Sequence, residues 1–156
     1  MRVDLLTLAT AHEKWADEAS ALYQKKISHF FNFQKIELKG SKNSRAQGDK
    51  KRHEDSDIIR TKIAKEDFVI LLDEKGLNLD SRGFAKKFEG ALNSGKKRIL
   101  LIIGGPFGVD EDIKSKAHLV LSLSPLTFNH LLAETVLLEQ VYRAMTILKN
   151  IPYHND

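Results

Sequence analysis

Three short runs constrain the fold more than any other feature of the chain: Val3 to Ala9 (VDLLTLA), Asp67 to Asp73 (DFVILLD) and Arg98 to Ile103 (RILLII). Each is apolar at consecutive positions, so each strand would bury both of its faces. A strand of that kind is stable only inside a sheet covered by helices on either side. Between the runs the apolar period changes. Trp15, Ala19, Leu22, Tyr23, Ile27 and Phe30 recur at helical spacing, as do Phe84, Phe88 and Leu92 behind a capping Ser81. Further strands are expected at Phe33 to Leu38 and Leu119 to Leu123, a weakly amphipathic helix at Asp55 to Lys65 with Ile58, Ile59 and Ile63 inward, a short acidic helix near Asp110 to Lys116, and one long helix from Asn129 to Leu148. Strands alternating with helices predict an α/β fold with a mainly parallel sheet and helices on both faces. At 156 residues the chain fits one domain, 1–156.

Composition narrows the function. There are no cysteines, which excludes disulfides and thiolate metal sites, and no histidine pair has metal-ligand spacing. The longest apolar runs fall far short of a membrane span, and Met1 to Ala9 carries Asp4 and lacks the basic-then-apolar layout of a signal peptide. A cytoplasmic protein is expected, with no membrane and no metal. The net charge of +4 is uneven: Lys39, Lys42, Arg45, Lys50, Lys51 and Arg52 face a single anion, Asp49, between Lys39 and Arg52. A flexible cationic segment of this kind suits a phosphate backbone.

In an open parallel sheet ligands bind beyond the carboxyl ends of the strands. The segments there are Leu72 to Gly76, Gly104 to Gly108 (GGPFG), and Ser122 to Asn129 (SLSPLTFN). The glycine turn follows the fourth strand, lacks the G-x-G-x-x-G spacing, and opens a helix that begins Asp110, Glu111, Asp112. Those carboxylates disfavour a pyrophosphate, so a neutral or cationic ligand held by backbone groups is expected rather than NAD or ATP. The leucine- and phenylalanine-rich loop around Ser122, Ser124 and Thr127 offers backbone polar groups from an apolar wall, as an adenine ring requires. At the C-terminus, Tyr153 offers a stacking face and His154 a proton-exchanging ring. His12, His29, His53 and His118 are read as ordinary surface or helix-end residues.

Together the turn IIGGPFG, the segment LSLSPLTFNHLLAE, the run LLEQVYRA and the ending PYH resemble the SPOUT-class methyltransferases that modify N3 of a pseudouridine in 23S rRNA of the bacterial large ribosomal subunit. The resemblance covers the whole chain and is densest from Ile99 to His154. It implies a C-terminal trefoil knot, a homodimer whose sites are each completed by the partner, and 23S rRNA in the subunit or assembled ribosome as substrate. It also implies S-adenosylmethionine as cofactor, held by Leu72, Gly105, Ser124, Pro125, Leu126, Thr127, Phe128 and Asn129. Arg143, Tyr153 and His154 would face the RNA or the target base, with His130 beside the cofactor loop as a second-rank candidate. Against the family pattern, Phe107 stands where a small or acidic residue is common, Asn129 and Leu131 flank His130 where proline or a polar residue is common, and Glu134 occupies a usual arginine position. Two rivals remain from the residues alone: a non-catalytic ribosome- or rRNA-binding protein, and a dinucleotide-binding oxidoreductase.

Overall fold

A computed structural model describes residues 1–8, 11–42 and 47–155. Five strands, β1 (Arg2–Leu8), β2 (Asn32–Leu38), β3 (Asp67–Asn78), β4 (Arg98–Ile103) and β5 (Leu119–Ser122), form one sheet in the order β2-β1-β4-β3-β5. Every pairing is parallel. The α/β architecture expected from the apolar runs is therefore present, with the alternation of side chains dividing β1, β3 and β4 between two cores. Val3, Leu5, Ile70, Ile99 and Leu101 pack under α1 (Lys14–Ile27), α3 (Ser81–Leu92) and α5 (His130–Leu148). Leu6, Val69, Leu71, Leu100 and Ile102 pack under α2 (Gly48–Arg60) and α4 (Glu111–Lys116). Each fully buried Leu or Ile contributes about 1.5–3 kcal/mol, so both layers are needed to hold the central strands.

The beginnings of the strands are tied by charge. Asp4 and Asp67 are buried at the starts of β1 and β3, and Arg98 at the start of β4 lies between them. Its guanidinium donates to Asp67 Oδ1 at 2.8 Å, to Asp4 Oδ2 at 3.0 Å and to the Lys62 carbonyl at 2.8 Å. Arg2 holds the other Asp4 oxygen at 2.8 Å. This leaves the opposite edge, where the strands end, free of that network.

Several local expectations change. Trp15 and Leu22 are 45% and 50% exposed, and the inward face of α1 is instead Ala16, Ser20, Tyr23 and Ile27. Apolar spacing put the tryptophan on the core side; close approach to α5, where Ser20 Oγ donates to Glu134 at 2.6 Å, selects the side with small residues. Helix α2 starts at Gly48 rather than Asp55, so the second half of the basic segment is helical. The cap of α3 is Asp80, which accepts from Gly83 N at 2.6 Å, while Ser81 donates to Gln140. Strand β3 continues past Asp73 to Asn78 through an irregularity between Leu72 and Leu77. Gly76 makes that continuation possible, because a Cβ there would lie 2.7–2.8 Å from the backbone of Leu121. Ala9, Arg45 and Asp156 lie outside the described residues.

Candidate active site

The second half of β3 and the segments after β4 and β5 converge on one cleft of about 1050 Å³. Leu72, Gly105, Ser124, Leu126, Thr127, Phe128, Asn129 and His130 all line it, so the residues expected around a cofactor are brought together; Pro125 sits in the same loop, exposed and outside the wall. A volume of this size suits an adenosine-sized ligand, and the aliphatic walls from Ile103, Leu121 and Leu123 suit a ring bound edge-on to the backbone. Loop β5–α5 is folded on its own hydroxyls: Ser122 Oγ donates to the Ser124 carbonyl at 3.1 Å and Ser124 Oγ accepts from Leu126 N at 2.9 Å. Asn129 caps α5 by accepting from Leu132 N at 2.9 Å.

The glycine turn serves the cleft in a different way from that expected. Gly108 N donates to the Gly105 carbonyl at 3.0 Å, and Gly108 has φ of 74°, a conformation that favours glycine. At Gly105, however, an added Cβ would meet Asp55 Oδ2 at 2.7 Å and Leu8 Cδ1 at 3.2 Å, and at Gly104 it would meet Val109 at 2.8 Å. These two glycines let the turn approach the protein's own interior rather than a ligand. The acidic start of α4 also loses its repulsive character. Asp110 is paired with Arg52 at 3.1 Å and His53 at 2.6 Å, Asp112 with Arg60 at 2.6 Å, and Lys114 joins Asp73 across the cleft floor at 3.0 Å. The pairs with His53 and Arg52 outweigh burial at Asp110 and keep its carboxyl below the usual carboxylate range.

These contacts bring Arg52 of the basic segment and Asp73 to the lining, together with His53 and Lys114, which the sequence did not single out. His53 had no motif to mark it, since its partner is 57 positions away. His118 likewise has a defined place. Its Nδ1 accepts from Val69 N at 3.1 Å and its ring stacks on Phe68 at 4.6 Å. The basic segment is more committed than a free cationic loop. Lys51 is paired with buried Asp55 at 2.9 Å, and Arg52 with Asp49 and Asp110, leaving Lys39, Lys42 and Lys50 exposed.

His130, the first residue of α5, stands where the glycine turn meets the helix. Its ring lies beside the Gly105 carbonyl, and its Nδ1 is buried with no hydrogen-bond partner. Burial pushes the imidazole below its ordinary pKa, although the Gly105 carbonyl and the Glu134 carboxylate pull the other way. Glu134, one turn on, is itself turned inward, paired with Lys35 at 2.8 Å.

Arg143, Tyr153 and His154 form a second group, and none of them lines the cleft. Tyr153 OH donates to Glu139 Oε1 at 3.0 Å, Arg143 Nε donates to the same carboxylate at 3.0 Å, and Arg143 Nη1 lies 3.1 Å from His154 Nδ1. The Arg143 guanidinium stacks 4.7 Å above the Tyr153 ring, whose edge meets Tyr142 at 4.9 Å. Burial, with hydrogen bonds to Tyr23 and Glu139, pushes the Tyr153 phenol well above its usual range. Arg143 lies thirteen helical positions beyond His130, which at about 1.5 Å per residue is about 20 Å. Within one chain the expected base-facing residues and the expected cofactor residues are therefore two sites, not one.

Among the described residues no group of three or more His, Cys, Asp or Glu is placed to hold a metal, and no helix is long and apolar enough to cross a membrane. The family profile described as "Predicted SPOUT methyltransferase" matches residues 1–154. The chain is 52% identical over 155 residues to a ribosomal RNA large subunit methyltransferase H of Bdellovibrio bacteriovorus, and 34% identical over 158 residues to a protein of the same name from Christiangramia forsetii, covering 99% of each chain in both cases. A solved probable methylase family protein of Haemophilus influenzae superposes with a TM-score of 0.55 at 12% identity, covering 95% of this chain and 66% of that one, a likeness of fold. A cleft at the strand ends, an α/β sheet of this order and full-length relatives at this level of identity meet in one conclusion: the chain belongs to the SPOUT methyltransferases, enzymes that use S-adenosylmethionine.

Proposed function

We propose that this chain methylates 23S rRNA of the large ribosomal subunit at N3 of a pseudouridine, as a cytoplasmic homodimer in which one protomer's cleft works with the other's C-terminal tail. The observation that carries this reading is the separation of the two residue groups along α5. Between them the exposed side of the helix carries Leu132, which is 38% exposed, and half-buried Val136, and 74% exposed Leu126 lies in the loop that precedes the helix. An apolar stripe of this kind calls for a cover. A two-fold, antiparallel pairing of α5 centred near Val136 sets His130 of one copy opposite Arg143 of the other, because the two positions are equidistant from residues 136 and 137. The reading includes the family's C-terminal trefoil knot. It has no use for a non-catalytic binder, which would not require an adenosine-sized cleft.

In this arrangement S-adenosylmethionine supplies an electrophilic methyl group when bound in the cleft, with Leu72, Gly105, Ser124 and Leu126 to Asn129 as its holders. The chain's own work is positioning. Tyr153, braced by Glu139 and Tyr142, gives the target base a stacking face; Arg143, cationic and stacked on Tyr153, stabilises negative charge as it develops on the ring. Exposed Lys39, Lys42 and Lys50 neutralise RNA phosphates.

The test is complementation in mixed dimers. Methyl transfer from labelled cofactor to ribosomes lacking the modification should be lost in a homodimer with Tyr153 to Asp156 deleted, and in a homodimer carrying Ser124→Trp in the cofactor loop. Co-assembled, the two defective chains should recover about a quarter to a half of wild-type activity per dimer, since one of the two sites is then intact. No recovery in a mixed dimer that still binds cofactor would refute sites shared between protomers.

A further inference from the structure

Arg143 and Tyr153 share their end of α5 with a third side chain that the sequence did not mark, Lys26 in the last turn of α1. Lys26 is half-buried, and its Nζ stands among three tyrosine rings that come from three separate elements. It lies 4.8 Å from the ring centre of Tyr142 on α5, 5.6 Å from that of Tyr153 in the tail, and 5.9 Å from that of Tyr23 on α1 itself. All three distances fall within the roughly 6 Å over which a ring face attracts a cation.

Charge balance separates Lys26 from its neighbour Arg143. The guanidinium is answered by Glu139, to which Nε donates at 3.0 Å and Nη2 at 2.5 Å, and the same carboxylate takes the Tyr153 hydroxyl at 3.0 Å. Lys26 has no carboxylate or carbonyl partner among the described residues. A ring face attracts the charge but offers no oxygen, so the three N–H donors of the ammonium are left for a ligand. The cage also holds a flexible four-carbon stem in place before any ligand arrives, which lowers the entropy lost on binding.

We propose that Lys26 is the phosphate-binding residue at this end of the composite site, donating to a phosphodiester oxygen of the RNA that Arg143 and Tyr153 face. The assignment rests on the reading of that end as the RNA-facing half of the site. A phosphate oxygen suits a lysine because the ammonium acts as a point charge with no fixed fork to satisfy. Lys50 belongs to α2, against the opposite face of the sheet from α1 and α5, so Lys26 adds a contact that the helical part of the basic segment does not supply.

The test uses the full-length enzyme and ribosomes lacking the modification. Lys26→Met keeps an apolar stem against the rings and removes the charge. Its KM for ribosomes should rise about tenfold with kcat within about twofold of wild type, as expected when one charge-assisted contact made equally in ground and transition states is lost. The log–log salt dependence of ribosome binding should become shallower by about 0.7–0.9, the contribution of one phosphate. Lys26→Arg, which keeps a cation and its donors, should retain the wild-type slope. In the wild-type chain, acetylation of Lys26 should be slowed by ribosomes and not by S-adenosylmethionine. A wild-type KM and slope in Lys26→Met, or equal acetylation with and without ribosomes, overturns the assignment. A lower kcat with an unchanged slope also overturns it, because that pattern marks a brace for Tyr153. Dissociation of Lys26→Met to a monomer in light scattering overturns it in favour of a carboxylate of the second copy. The underlying reading fails separately: undiminished methyl transfer after deletion of Tyr153 to Asp156 removes the RNA-facing role of the tail, and this role with it, whatever the KM of Lys26→Met.

Discussion

Replacing Arg98 with Met tests whether the strand-start network carries the weight its burial implies. The substitution removes the 2.8 Å bond to Asp67, the 3.0 Å bond to Asp4 and the 2.8 Å bond to the Lys62 carbonyl, while keeping most of the aliphatic stem. Asp4 and Asp67 are 0% and 3% exposed, so two carboxylates would lose a cation in a place that water reaches poorly. Breaking such a pair costs about 3–5 kcal/mol. The lower end applies, because Asp4 keeps Arg2 at 2.8 Å and Asp67 keeps the Ala64 amide at 2.7 Å. A loss of about 3 kcal/mol corresponds to a fall in Tm of about 6–12 °C for a chain of this size. Urea denaturation followed by circular dichroism measures the loss directly. Asp67→Asn in the same chain should restore at least about 1 kcal/mol, since a neutral amide tolerates the site without a cation. Methyl transfer well below the transition should be unchanged, because the cleft lies at the other ends of the strands. A single variant within about 1 kcal/mol of wild type, or a double variant no more stable than the single, would refute the reasoning.

Gly76→Ala should cost about 3 kcal/mol in urea denaturation and weaken S-adenosylmethionine in calorimetry, since its Cβ would meet Leu121 backbone that cannot give way between β3 and β5. Replacing Lys39, Lys42 and Lys50 with alanine should make the log–log salt dependence of RNA binding shallower by about 2–3 and leave stability and cofactor affinity unchanged, as read by filter binding and calorimetry. Lys51→Ala should instead destabilise the chain by about 1–3 kcal/mol, because buried Asp55 loses its cation; equal effects of the two sets on RNA affinity would contradict the split. Burial, then Lys96, hold His118 below its ordinary pKa of 6.5. The unfolded chain therefore binds the extra proton first, so its contribution to stability is whole above pH 6.5 and is lost as pH falls through the folded value. His118→Gln should reduce the drop in stability between pH 7.5 and pH 5 seen by urea denaturation.

The sequence determined what depends on local patterning. Apolar residues on both faces of Val3 to Leu8, Val69 to Leu72 and Ile99 to Ile103 could be satisfied only between two helical layers, so the α/β class was legible from period alone. The composition of Leu72 to Gly76 and of the segments after β4 and β5 marked the cleft, because the carboxyl side of a parallel sheet is where backbone groups are left open to a ligand. Family resemblance in IIGGPFG and LSLSPLTFNH named its use. Tertiary structure decided everything that depends on which distant side chains meet. It turned Trp15 out and Ser20 in, committed Lys51 and Arg52 to Asp55 and Asp110, and aimed the missing Cβ of Gly105 at Asp55 instead of the cleft. It also set His130 apart from Arg143, Tyr153 and His154 at opposite ends of α5 and left one imidazole nitrogen buried without a partner. The physical reason is common to all of these: hydrophobic period is a property of neighbours along the chain, whereas the state of a charge or a lone pair is set by whatever the fold packs against it.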